Sequence, residues 1–133
     1  MKPIGAVLAA SLILSPGLAH AYRSPTQNDV VQVSGSVWEV LARPGTSAAN
    51  YWCSAGDFAI RQLGAQAVQR VFIWQPLGPS TTRPGTKSVQ FSFSAPEGAN
   101  TTPGYSLSVK NAGDNLTAAA AQQYCFDRLP IGR

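Results

Sequence analysis

The chain has 133 residues, with ten lysines and arginines, six aspartates and glutamates, and a formal net charge of +4 at pH 7. This length is enough for one compact domain but not for two large ones. So small an excess of positive charge argues against nucleic-acid binding, which needs a denser basic patch.

Residues 1–21 are typical of a secretory signal peptide. Lys2 supplies a positive charge, residues 4–14 form an apolar run, and Ala19 and Ala21 are small residues at the two positions that signal peptidase reads. The run is too short before its Pro-Gly break to cross a membrane, which takes about 20 apolar residues. We therefore predict cleavage after Ala21, no membrane span, and a secreted or periplasmic protein.

Removal of this leader takes away His20, the chain's only histidine. Ser-His-Asp and Cys-His catalysis and most zinc sites need an imidazole. The chain also contains no Walker loop, no dinucleotide-binding glycine motif and no Gly-x-Ser-x-Gly elbow. We predict a protein that is not an enzyme and has no cofactor and no metal site.

The remaining enzymatic alternative is chemistry by paired carboxylates, for which Glu39, Asp57 and Glu97 would have to converge in a cleft. Glu39 is the first to examine because it lies among apolar neighbours in a predicted strand. A solvated outer face of that strand is the simpler explanation.

Cys53 and Cys125 are the only cysteines. An even pair in an exported chain predicts a disulfide, which would stabilise a domain of this size by about 4 kcal/mol in the chain-entropy model. A reactive thiol is disfavoured, since there is no Cys-x-x-Cys motif and no histidine to lower the pKa of a thiol.

The central element is an amphipathic helix over residues 47–63. Apolar and polar residues alternate at helical spacing, Thr46 or Ser47 can cap the start, and Gly64 lies where a helix commonly ends. The pattern predicts one buried face and one polar stripe. Members of the apolar face are Ala49, Trp52, Cys53, Gly56, Ala59, Ile60 and Leu63, and members of the polar stripe are Asn50, Ser54, Asp57 and Arg61.

Before this helix, residues 22–29 read as a loosely held arm, and residues 30–42 as a strand with a bulge or bend at Gly35. After it, residues 68–75 predict an interior strand. We expect the proline-rich segment 76–87 to end that strand.

Two further strands are predicted at residues 88–95 and 105–110, where apolar and polar residues alternate. The polar positions predict a face in water and antiparallel pairing. A short helix follows from Leu116 to Tyr124, capped by Asp114, and residues 127–133 read as a tail.

The predicted fold class is therefore α+β, with the order β-α-β-β-β-α. It consists of a small antiparallel sheet of three to four strands and two helices on one face, tied by the disulfide. Residues 30–126 form the single domain, and no internal repeat is apparent.

The loop over residues 78–87 is the best candidate for a contact surface, because long loops between strands often carry binding. Its candidate residues are Ser80, Thr81, Thr82, Arg83 and Lys87, of which the two cationic ones could meet an anionic group. A solvated connection without a partner is the alternative.

We predict an exported, non-enzymatic domain that binds a protein or a cell-envelope component. A second interpretation is an inhibitor of a secreted hydrolase that presents this same loop.

Overall fold

A computed structural model of the protein describes residues 21–104 and 107–126. The predicted signal peptide lies outside the described residues except for Ala21, and the predicted tail lies outside them entirely. So do Tyr105 and Ser106, the first two residues of one predicted strand.

The described residues form an α+β fold with one antiparallel sheet of six strands and two helices. The strand order across the sheet is β1-β2-β3-β5-β4-β6. The prediction of three to four strands is therefore wrong in number, although the fold class and the antiparallel pairing are confirmed. The strands are β1 (Tyr22–Arg23), β2 (Asp29–Gln32), β3 (Val37–Leu41), β4 (Arg70–Pro79), β5 (Lys87–Ser92) and β6 (Asn115–Thr117), and the helices are α1 (Ala48–Arg61) and α2 (Ala118–Gln123).

Three differences from the predicted strands have local causes. Residues 30–42 form a hairpin, because the chain reverses between β2 and β3 in a turn where the amide of Val37 bonds to the carbonyl of Ser34. β4 continues through Pro76, which lies where β4 has one residue more than β5 between the pairs Gln75–Gln90 and Gly78–Ser88. A bulge tolerates a proline because the regular ladder is already interrupted there.

The segment after residue 107 also differs from its prediction. Residues 107–110 form no strand; the amide of Leu77 bonds to the carbonyl of Val109, and the regular pairing begins only at β6. α2 then starts at Ala118 with Thr117 as its cap, so the predicted start at Leu116 and the predicted cap at Asp114 are wrong.

α1 has the predicted boundaries within two residues, and Ser47 is its cap. More residues of α1 are buried than predicted. Every residue from Tyr51 to Ala59 is buried, including Ser54 and Asp57 of the polar stripe. The reason is that α1 is covered on more than one side: the sheet packs against its apolar face, α2 crosses it, and the N-terminal segment lies along its polar side.

α1 and α2 cross at very close range. A Cβ atom placed on Gly56 would lie 2.5 Å from the amide nitrogen of Gln122 and 2.7 Å from the Cβ of Ala121. Beside this contact, Cys53 and Cys125 form the predicted disulfide. Only a glycine permits this separation of the two backbones.

The N-terminal segment does not form the predicted loose arm. Residues 22–23 are β1, and Ser24 and Asn28 are buried. The hydroxyl of Ser24 lies 2.8 Å from that of Ser54 on α1, and the hydroxyl of Tyr22 donates to Asp57 over 2.5 Å. Polar residues that resemble a linker in sequence here fill the polar side of α1.

The face of the sheet opposite the helices is also largely covered at β3 and β5. Ser88, Gln90 and Ser92 were expected to face water, yet all three are buried. The loop between β4 and β5 reaches over this face, as the bond from Gln90 Nε2 to the hydroxyl of Thr81 shows. Among the described residues, no helix is long and apolar enough to cross a bilayer.

The helix crossing gives a first prediction. Replacing Gly56 by alanine should lower the free energy of unfolding by about 2 kcal/mol, because the added methyl group overlaps the backbone of α2. Helix propensity alone would raise the free energy of unfolding, since alanine is favoured over glycine in a helix interior by about 1 kcal/mol. Urea unfolding of the oxidised protein measures the change.

Gly35→Ala is the control, since a Cβ atom there meets nothing within 4 Å. It should shift the unfolding free energy by no more than about 0.5 kcal/mol. Equal stabilities of the two variants would contradict the described crossing.

Candidate functional site

An open depression of about 280 Å³ lies at one end of the sheet, and three arginines line it. We call Arg23, Arg43 and Arg83 the arginine cluster. Asp29 is the one acidic residue among the described residues of the lining, so these residues carry a formal excess of two positive charges, against +4 for the whole chain. The remaining lining residues are Gln27, Leu41 and Ala42.

The first arginine is placed by the pairing of β1 with β2. Arg23 lies directly opposite Asp29 in this antiparallel pair. Its Nε donates to Asp29 Oδ1 over 2.8 Å. Opposite charges at facing positions of two strands stabilise the pair and fix where both side chains lie.

The second arginine begins a tight turn between β3 and α1. The amide of Thr46 bonds to the carbonyl of Arg43 over 3.0 Å, and Gly45 has φ of +82°. Proline at the second position and a glycine with positive φ at the third are the features of a type II turn. The guanidinium group of Arg43 then donates to the backbone carbonyl of Gln27 over 3.1 Å.

The third arginine begins a turn of the same kind in the loop between β4 and β5. The amide of Thr86 bonds to the carbonyl of Arg83 over 3.2 Å, and Gly85 has φ of +81°. The guanidinium group of Arg83 reaches Asp29 Oδ2, with both terminal nitrogens at 3.3 Å. Asp29 thus holds two members of the arginine cluster.

The two turns share one tetrapeptide, Arg-Pro-Gly-Thr, at residues 43–46 and 83–86. The sequence interpretation recognises no internal repeat and assigns the second copy only to the loop over residues 78–87, so this short repeat is a finding of the structure. The signal for both turns is present in the sequence, because a proline-glycine pair predicts a turn and this pair occurs at both places. That both arginines meet at one depression could not be read from it.

A buried carboxylate holds the loop that carries Arg83. Glu39 lies on β3, with its side chain on the face away from the helices, and is fully buried. It accepts hydrogen bonds from the hydroxyls of Ser80, Thr82 and Ser88 and from the amides of Thr81 and Thr82. The solvated position expected for Glu39 is therefore wrong.

The anchored loop in turn fixes the backbone of Arg83, because its amide donates to the hydroxyl of Ser80 over 2.9 Å. Burial by itself raises the pKa of Glu39, but the hydrogen bonds from Thr82, Ser80 and Ser88 outweigh it and lower the pKa of the carboxyl below its usual value. The pKa of Asp29 is also lowered, because its bonds to Arg23 and Arg83 outweigh the effect of burial. Both groups are therefore carboxylates at neutral pH.

The five residues of the predicted contact loop do not all lie at the depression. Glu39 accepts a hydrogen bond from a polar group of each of Ser80, Thr81 and Thr82. Arg83 belongs to the arginine cluster. Lys87 is the first residue of β5, paired with Pro79, and does not line the depression. Arg23 and Arg43 were not predicted as site residues.

The carboxylates weighed for enzymatic chemistry do not share partners. Asp57 is bonded to Tyr22, Arg61 and Gln122 at the helix crossing, while Glu39 is bonded to the loop. Glu97 is exposed in another loop. Across residues 21–104 and 107–126, no three histidine, cysteine, aspartate or glutamate side chains group together as a metal site would require.

A comparison of the chain with protein-family models, with curated proteins and with solved structures finds no match. A functional argument therefore depends on the chemistry of the chain's own residues. The most distinctive of these is the arginine cluster.

The anchoring role of Glu39 gives a second prediction. Glu39→Gln removes the charge that five donors address, so the loop should loosen and the free energy of unfolding should fall by about 2 kcal/mol. The amide of Thr82, which donates to Glu39 over 3.1 Å, should exchange its hydrogen faster. Hydrogen–deuterium exchange with fragment resolution measures this.

Glu97→Gln is the matched control, because it removes the same charge from an exposed position. It should change neither the exchange of the loop nor the unfolding free energy by more than about 0.5 kcal/mol. If the loop of the Glu39→Gln variant exchanged as slowly as in the parent, the described anchoring would be incorrect.

The lowered pKa of Glu39 sets the direction of a third prediction. A carboxyl group whose pKa is lower in the folded state stabilises the protein fully above its unfolded pKa, here near 4.5, and loses that contribution as the pH falls through the folded value. Unfolding free energies measured at a series of pH values should therefore decline below about pH 4.5. The decline should be smaller in Glu39→Gln, and an identical decline would contradict the assignment.

Proposed function

We propose that this protein is an exported, non-enzymatic domain that binds an anionic group of a protein or a cell-envelope component through the arginine cluster. The observation that supports this most directly is the convergence of Arg23, Arg43 and Arg83 on one open depression with a single acidic residue. Clustered like charges repel each other, so an arrangement that retains a formal excess of two favours an anionic ligand.

The cluster keeps donors available for such a ligand. Arg23 Nη2, Arg43 Nε and Nη2, and Arg83 Nε have no acceptor among the described residues. Arginine remains charged at every relevant pH, and its planar fork matches the oxygens of carboxylate, sulfate and phosphate groups. The depression therefore offers both charge and directed hydrogen bonds.

The backbone at each of the three arginines is held by regular structure, and this also favours binding. A strand pair positions Arg23, and two proline-glycine turns position Arg43 and Arg83. Binding at such a site orders little additional backbone, which lowers the entropic cost of association.

Export is supported by the predicted leader and by the disulfide. Disulfides form and persist in oxidising compartments, and the Cys53–Cys125 bond joins two elements of the domain's core. In such a compartment the partner would be an extracellular protein or a component of the cell envelope.

Charge neutralisation tests the proposal. Arg43→Gln should weaken binding of dextran sulfate at low salt by about fivefold, because one of three charge-assisted contacts is lost. Lys110→Gln is the control: it removes one positive charge from an exposed residue outside the lining and should change binding by less than about twofold. Isothermal titration calorimetry measures both.

Two results would contradict the proposal. If the two variants lost affinity equally, binding would follow net charge and not the cluster. If neither lost affinity, the depression would not be the binding site.

The second interpretation, inhibition of a secreted hydrolase, is favoured by one feature. The loop between β4 and β5 is held rigidly by Glu39, and Arg83 at its tip is 47% exposed. A rigid loop binds a cleft at low entropic cost. Failure to inhibit a panel of secreted proteases and lysozymes would remove this alternative.

A further inference from the structure

We infer that the group bound by the arginine cluster is the dianion of a phosphomonoester. This inference depends on the proposed function and goes beyond it by naming the ligand chemistry. It follows from the charge of the depression, from the number of its free donors and from its size.

The charge of the depression matches two negative charges. Three guanidinium groups and the Asp29 carboxylate leave a formal excess of two. A carboxylate or a sulfate ester neutralises half of that excess, whereas a phosphomonoester above its second ionisation neutralises nearly all of it. Of these three anionic groups, the phosphomonoester dianion therefore complements the charge of the depression best.

The number of free donors suits a group with more than two oxygens. The three arginines come from three separate parts of the chain: β1, the turn before α1, and the loop between β4 and β5. Each of them keeps at least one nitrogen without an acceptor among the described residues, and a phosphomonoester carries three strong acceptor oxygens. A planar carboxylate has only two oxygens to share among them.

The size of the depression limits what it holds. At about 280 Å³ it is slightly smaller than the pockets that enclose drug-sized ligands, which measure roughly 300–1,000 Å³. It is also open to solvent on one side. It can therefore hold a phosphoryl group and the atoms next to it while the rest of the ligand extends outward.

The protein contributes little titration of its own between pH 5 and pH 8. Guanidinium groups in general do not titrate in this range, Asp29 stays ionised because Arg23 and Arg83 hold its pKa below the usual value, and the chain's only histidine lies in the predicted leader. Tyr22 does not line the depression, but cleavage after Ala21 would create an α-amino group next to Arg23, and this group could titrate in the range. A change in affinity across this range can therefore be assigned to the ligand once that group is controlled for.

The experiment compares methyl phosphate with methyl sulfate on the exported, oxidised chain. The two probes have similar shapes, but methyl sulfate keeps one negative charge, whereas methyl phosphate gains its second near pH 6. Titrations followed by NMR of the arginine Nε–H signals should give similar affinities at about pH 5 and about tenfold tighter binding of methyl phosphate at about pH 7.5. Deprotonation of the α-amino group with rising pH would remove a positive charge and weaken the binding of both probes, so it cannot produce the expected gain for methyl phosphate.

Two variants test whether the arginine cluster is responsible for the preference for methyl phosphate. Arg43→Gln should weaken both probes and reduce the preference for methyl phosphate at about pH 7.5 to about threefold or less, whereas Lys110→Gln should leave the preference intact. The dianion inference is overturned if the two probes bind equally at every pH while Arg43→Gln still weakens them, a result that leaves the proposed function standing. If neither probe binds, both proposals fail.

Vesicles identify the source of the phosphoryl group. Phosphatidic acid presents a phosphomonoester and phosphatidylglycerol a phosphodiester with one negative charge. Sedimentation with phosphatidic acid vesicles above the level seen with phosphatidylglycerol would support the dianion inference and indicate a lipid headgroup. A preference for methyl phosphate over methyl sulfate without that difference between the vesicles would support it with a soluble or protein-borne phosphate as the source.

Discussion

The close contact of α1 and α2 at Gly56 is the constraint on which the rest of the fold depends. α2 has six residues, too few for a helix to be stable alone in water. Its position is therefore determined by what it touches: the backbone at Gly56, the disulfide between Cys53 and Cys125, and the bond from Gln122 to Asp57. Because α2 covers one side of α1, the sheet and the N-terminal segment must cover the others.

Two buried polar networks extend from this core to the arginine cluster. On the helix side, Ser54 and Asp57 bind the N-terminal segment, which carries Arg23 to the edge of the depression. On the opposite face, Glu39 binds the loop that carries Arg83. Buried polar groups need partners, so these contacts stabilise the fold and position the charges together. The depression is thus supported by Glu39, Ser54 and Asp57, which are almost completely buried.

This organisation is the reason for proposing anion binding. The three arginines are distant in sequence and are brought together by a strand pair and two identical turns. Asp29 reduces their repulsion without cancelling the positive charge. Carboxylate chemistry has less support, because the two buried carboxylates, Glu39 and Asp57, serve separate networks and share no partner.

The sequence by itself determined α1, the disulfide and the α+β class, and it narrowed the cap of α1 to Thr46 or Ser47, because helical periodicity, capping residues and a single cysteine pair are local or unambiguous signals. Only the tertiary structure decided the number of strands, the burial of Glu39 and the meeting of Arg43 with Arg83. A serine, a threonine or a carboxylate looks the same in sequence whether it faces water or a buried partner. Whether such a side chain is exposed or buried depends on how distant segments pair. That pairing depends on packing that no local sequence pattern shows.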